Sequence, residues 1–105
     1  MIEKDIESWA KVYARKAGWW ARKFTSPAHR SSPDDIFAKN GRVFFVEFKR
    51  TGEHPTPLQL EEHKAMRAAG LTVYVCDSRR GEELHSKHLA FTEILDVEEA
   101  HARNG

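Results

Sequence analysis

Ile2, Ile6, Trp9, Ala10, Tyr13 and Ala17 recur at the spacing of one helix face, and Gly18 supplies a stop. The pattern predicts a first helix over residues 2–17. WWARKF, residues 19–24, reads as a short strand of mixed sidedness. TSPAHRSSP, residues 25–33, is a loop by its serine and proline content. Two β-rich runs follow, DIFAK and RVFFVEFK, joined by Asn40-Gly41. That dipeptide is a strong hairpin signal, because a type I′ turn needs positive φ at both central residues. After the loop RTGEHP, Thr56-Pro57-Leu58-Gln59 has the form of a helix start, with Thr as N-cap, Pro at the first position and Gln at the third. Leu58, Ala65, Met66 and Ala69 carry its apolar face and Gly70 ends it. LTVYVC, residues 71–76, is a strand of the buried kind. The acidic remainder suggests a last helix from about Thr92 to His101. The order α-β-β-β-α-β, with an extra C-terminal helix, predicts one α/β domain over residues 1–105, with a mixed sheet flanked by helices.

The most apolar run, VFFVEFKR at 43–50, contains Glu47 and Lys49. Buried charges are costly unless paired or bound to an ion. A two-residue turn at Asn40-Gly41 makes paired residue numbers constant in sum, so Lys39 faces Arg42, Phe37 faces Phe44 and Asp34 faces Glu47. Lys49 lies two residues beyond Glu47 and points to the same face. Two carboxylates and a lysine therefore converge at one end of an apolar hairpin. Opposed like charges need something positive between them. Lys49 could serve; a divalent cation would serve better, since Mg²⁺ takes carboxylate and carbonyl oxygens. Such a set suits phosphodiester hydrolysis. Ordinary salt bridges at a strand end account for the same residues, and both readings stand on spacing alone. By the same parity Asp35 points to the opposite face and reads as a solvated loop-end charge.

Pro33-Asp34, a gap of twelve residues, then Glu47-Phe48-Lys49 resembles the PD-(D/E)XK signature of the restriction-endonuclease-like superfamily. The longer stretch SSPDDIFAKNGRVFFVEFKRTGEHPTPLQLEEHKAMRAAGLTVYVCDS resembles the virus-type replication-repair nuclease domain, VRR-NUC, in a small phage-type form. The likeness covers about residues 3–78. It implies a restriction-endonuclease-like fold and a metal-dependent DNA endonuclease, similar to Holliday-junction resolvases and acting as a homodimer on branched DNA. It also implies roles: Asp34 and Glu47 as metal carboxylates, the Phe48 carbonyl as a further oxygen ligand, and Lys49 as catalytic lysine. Gln59 would support the site or contact DNA, although a capping-box glutamine needs no such role. An acidic residue of the first helix would complete the set. Glu3 and Glu7 both qualify, and the local pattern favours Glu3. The implied cofactor is Mg²⁺ or Mn²⁺. A non-catalytic nucleic-acid-binding module on the same fold is the alternative.

Composition alters this little. The chain is 40% hydrophobic and 31% charged, with a net charge of +1. Residues 1–50 carry 11 Lys/Arg against 6 Asp/Glu and residues 51–105 carry 6 against 10, so the first half is basic enough to face a polyanion. Arg22, Lys23, Arg30 and Arg50 are the candidate backbone-phosphate contacts. Trp19-Trp20 beside Arg22-Lys23 resembles the aromatic and basic interleaving of nucleic-acid surfaces, while alternation lets one Trp pack inward. His29 could touch a phosphate. His63, four residues after Gln59, shares its helix face and could approach the site, although a surface position is the commoner fate. His54 could touch a phosphate more weakly, and His85, His88 and His101 read as solvated. The only cysteine, Cys76, excludes an internal disulfide and reads as a buried, inert thiol. The charged N-terminus is unlike a secretory leader, and no apolar run reaches the ~18–20 residues of a membrane span. A reducing cytoplasm is the expected setting.

Overall fold

A computed structural model describes residues 1–26 and 31–104. The elements are α1 (Glu3–Lys16), β1 (Trp20–Lys23), β2 (Asp35–Lys39), β3 (Arg42–Phe48), α2 (Pro57–Ala68), β4 (Val73–Ser78), β5 (Leu89–Ala90) and α3 (Phe91–Asn104). The strands form one sheet in the order β1-β2-β3-β4-β5. β1, β2 and β3 pair antiparallel, whereas β4 and β5 add in parallel. The mixed sheet with flanking helices is that of the restriction-endonuclease-like fold.

The turn sets the register. Asn40 and Gly41 both adopt positive φ, at 51° and 82°, and Lys39 pairs with Arg42, Phe37 with Phe44 and Ile36 with Phe45. The ladder runs out at Asp35 opposite Val46. One residue earlier, Asp34 N–H donates to Val46 O at 3.1 Å, and the Asp34 carboxylate accepts from Phe48 N–H at 2.7 Å. A side chain thus completes the last rung.

Alternation divides the sheet into two unlike faces. Phe37, Phe44, Val46 and Phe48 pack against Ile6, Ala10 and Ala14 of α1 and Phe91, Ile94 and Leu95 of α3. This is the main core, and Ile6, Ala10 and Ala14 are all fully buried at four-residue spacing. The opposite face carries a small cluster of Phe45, Met66 and Val73, with Phe24 and Ile36 beside it. Glu47 and Lys49 continue the row begun by Phe45 on that α2-facing side.

Differences from expectation are local. Leu71 still belongs to the helix exit, where its N–H donates to Met66 O, so β4 starts at Val73 and extends to Asp77 and Ser78, both buried. β5 has only two residues and no periodicity to reveal it. α3 is longer than the 92–101 segment expected. Its Glu98 is fully buried because it accepts from Arg42 Nε at 2.5 Å and Nη2 at 3.0 Å and from the Tyr74 hydroxyl at 2.5 Å. Trp19 is buried and donates to Glu99, while Trp20 is exposed beneath Arg22. Cys76 is buried, and burial pushes its thiol up to about 12, as expected of an inert sulfur. No described helix is long and apolar enough to cross a membrane.

Removing the Glu98 acceptor strands Arg42 and Tyr74 together. Glu98→Ala is expected to cost about 3 kcal/mol, read as a lower urea midpoint with unchanged slope. A loss within the scatter of surface mutants would show that α3 docks through its apolar face alone.

Candidate active site

α1 begins at the same end of the sheet where β3 finishes, and this brings Glu3 to the hairpin carboxylates. Glu3, Asp34 and Glu47 each offer an oxygen, and the three oxygens lie within 4.8 Å of one another. Glu47 is 1% exposed and Lys49 is 7% exposed, with Lys49 Nζ 3.9 Å from Glu47 Oε2. Gln59 Nε2 donates to the same Oε2 at 3.2 Å. The amide oxygen of Gln59 accepts from Thr56 N–H, and Gln59 N–H donates to the Thr56 hydroxyl, so the capping box is complete as well. The capping box and the bond to Glu47 coexist: the cap fixes the rotamer that carries the amide to Glu47.

Ionisation is resisted here. Burial and then the Glu47 charge push Asp34 up to about 7, although the Phe48 N–H bond acts against the rise. Burial likewise pushes Glu47 up to about 7, with its bond to Asp34 and the Lys49 charge opposing. Glu3 is also raised, by burial and by Asp34. Oε1 of Glu47 is buried without a hydrogen-bond partner among the described residues. An orphaned carboxylate oxygen inside an all-oxygen donor set fits a hard divalent cation and fits a soft metal poorly.

A phage protein described as "Putative nuclease p44", from Acyrthosiphon pisum secondary endosymbiont phage 1, is 46% identical to this chain over 78 residues, 73% of this chain and 84% of its own length. A solved structure described as "VRR_NUC domain" superposes with a TM-score of 0.70 at 25% identity, covering 92% of this chain and 94% of its own. The chain belongs to the VRR-NUC family. No family model matches it.

Within this VRR-NUC chain the acidic residues of α1 divide their work. Glu3 joins the carboxylate group. Glu7 faces the other side, 3.2 Å from Lys23 and 3.7 Å from Lys11. Asp35 corrects the expectation of a solvated charge. It is fully buried, 3.3 Å from Lys11, and burial plus its bond to Glu7 push it up to about 8. Glu7 stays low despite burial because Asp35 and Lys23 both bond to it. Parity was right about the face; α1 covers that face and excludes water. His63 also departs from expectation: it is fully buried, with Nε2 3.5 Å from Glu47 Oε1. Its i+4 spacing from Gln59 was the available signal.

The phosphate-contact candidates fare differently. Arg22 and Arg50 are exposed, Arg22 donating to Ala21 O and Arg50 lying 3.2 Å from Glu53. Lys23 is exposed and engaged by Glu7. His29 and Arg30 lie outside the described residues. Asp77 is the residue that sequence reasoning missed. Its carboxylate, held low despite burial, accepts from Ser86 Oγ, Lys87 N–H, Gly52 N–H and His88 N–H. One side chain thereby ties the loop after Lys49 to the loop before β5. A lone Asp at the end of an apolar strand was its only trace.

The sign of the pH effect follows from the raised carboxyls. Unfolded Glu47 ionises near 4.5 while the folded residue keeps its proton to about 7, so stability falls as pH rises through that window. In EDTA, Glu47→Gln is expected to melt above wild type at pH 8, the gain shrinking toward pH 4. Equal melting at pH 8 would mean that the carboxyl titrates near its ordinary value.

Proposed function

We propose that this VRR-NUC protein is a divalent-metal-dependent DNA endonuclease that hydrolyses phosphodiester bonds in branched DNA of the Holliday-junction type. The observation that carries the reading is the convergence of Glu3, Asp34 and Glu47 within 4.8 Å, with buried Lys49 beside them. Those three carboxylates, with the Phe48 carbonyl, would hold Mg²⁺ or Mn²⁺. When bound, the ion makes a water more acidic and offsets charge growing on the phosphate.

The chain's own residues supply orientation. Lys49 has three donors and no acceptor, and it is held by Glu47 so that its remaining donors can align a water or a phosphate oxygen. Gln59 fixes Glu47 through the capping box, so the rigid start of α2 sets the carboxylate plane. Asp34 is set in turn by the backbone of Phe48. Arg22, Lys23 and Arg50, with Arg30, would contact backbone phosphates without reading sequence; Lys23 would exchange Glu7 for phosphate to do so.

A symmetric junction needs two cuts related by a two-fold axis, and each chain offers one such site, which favours a homodimer. The phage relative described as a nuclease supports the activity class. A binding module that keeps the fold without the chemistry would have no use for a buried lysine beside three convergent carboxylates.

The test is cleavage of a labelled four-way junction, with flap, linear duplex and single strand alongside, in Mg²⁺, Mn²⁺ and EDTA. Wild type is expected to cut the junction only with metal. Glu47→Ala and Lys49→Ala should each lose at least about a hundredfold in rate. Preference for flap or duplex would retain the nuclease and discard the substrate. Salt-sensitive junction binding with no cutting in either metal would select the binding module.

A further inference from the structure

A buried imidazole and one buried carboxylate oxygen face each other between α2 and β3, and neither has a hydrogen-bond partner among the described residues. His63 is fully buried and lacks a hydrogen bond at both ring nitrogens. Glu47 Oε1 is buried and also lacks one. Nε2 of His63 stands 3.5 Å from that oxygen, a few tenths of an ångström beyond an ordinary N–H···O bond, which spans about 2.7–3.2 Å. Buried polar atoms without partners are rare because they forfeit water and gain nothing. A leucine at position 63 would fill the space without that cost.

The location explains the histidine. Gln59 and His63 are four apart on α2, on one face. Gln59 donates to Oε2 of Glu47, and His63 faces Oε1. One helix therefore presents a separate donor to each oxygen of one carboxylate. The Gln59 amide carries no charge, and burial and Arg67 disfavour the charged imidazole. A neutral donor steadies an ionised carboxylate without adding positive charge beside a cation.

We infer that His63 is a positioning residue whose Nε2–H donates to Glu47 Oε1, fixing with Gln59 the plane in which Glu47 meets the cation. The inference rests on the cation-site reading of the carboxylates. Donors in this outer position typically change metal affinity 10–100-fold.

The experiment is calorimetric titration of Mn²⁺ into the full chain without DNA, for wild type, His63→Leu, His63→Phe and His63→Gln. The two apolar variants are expected to bind Mn²⁺ about 10–100-fold more weakly while melting at or above wild type in EDTA. The second keeps the measurement possible if leucine does not fold. His63→Gln, whose amide can donate to the same oxygen, is expected to recover most of the affinity. In junction cleavage, kcat should fall with KM for DNA unchanged. Unchanged Mn²⁺ affinity with lower melting would make His63 structural and overturn the inference. A directly coordinated imidazole nitrogen in the spin-echo spectrum of bound Mn²⁺ would overturn it differently, by making His63 a ligand. Wild type that binds no Mn²⁺ would remove the cation site itself, and the inference with it.

Discussion

The hydrogen bond from Phe48 N–H to the Asp34 carboxylate is the contact on which the site depends. At that rung the hairpin ladder has ended. The main chain of Asp34 is paired on both sides, its N–H donating to Val46 O and its C=O accepting from Phe24 N–H, but without the Phe48 bond its side chain would be free to turn toward water. With it, a side chain substitutes for backbone pairing and is held across from Glu47, on a strand that also pairs in parallel with β4. Lys49 inherits the same rigidity, because its N–H donates to Cys76 O as β3 leaves the sheet. The position of each charged group is thus set by main-chain bonding rather than by forces between the charges, since repulsion would drive ionised Asp34 and Glu47 apart.

The two adjacent aspartates show how the surrounding sheet assigns chemistry. Asp34 and Asp35 differ by one residue and hence by one face. On the α1 side, Asp35 meets Glu7, Lys11 and Lys23, a closed set in which lysines balance the ionised carboxylate and Asp35 keeps a proton. On the α2 side, Asp34 meets Glu47 and Glu3, with Lys49 beside Glu47. Carboxylates outnumber the lysine there, and among the described residues unpartnered buried oxygens lie on both faces, Glu47 Oε1 here and both Asp35 oxygens opposite. Such an imbalance is unfavourable for the fold by itself. It becomes favourable when a cation is part of the assembly, the usual relation between a metal site and the stability of its scaffold.

Support comes from residues with no chemistry of their own. The Thr56–Gln59 capping box stabilises the start of α2 and at the same time aims an amide at Glu47. Asp77 uses one carboxylate to gather four donors from two loops, and so holds the segment following Lys49. Thr51 N–H donates to Met1 O, which ties that segment to the chain leading into α1 and Glu3. The carboxylate-bearing end of the sheet is a set of loops and the start of the chain, held by a few polar bonds.

The hairpin and the Asp34–Glu47–Lys49 convergence were legible in the sequence because their determinants are local. Asn40-Gly41 dictates a turn, the turn dictates a register, and a period of two then allots each side chain to a face. Gln59 was legible for the same reason, through a four-residue start signal. Tertiary structure decided what lies opposite each face, which no local period encodes. Asp35 was placed on the correct side and given the wrong environment, since only the docking of α1 makes that side dry. The choice between Glu3 and Glu7 required the crossing point of α1 over the sheet. His63 had helical spacing consistent with surface or site, and the thinness of the α2 face, with its small apolar cluster, brought it against Glu47. Asp77 and β5 depend on where two distant loops meet. Periodicity fixes direction; packing supplies the partner, and the partner determines the chemistry.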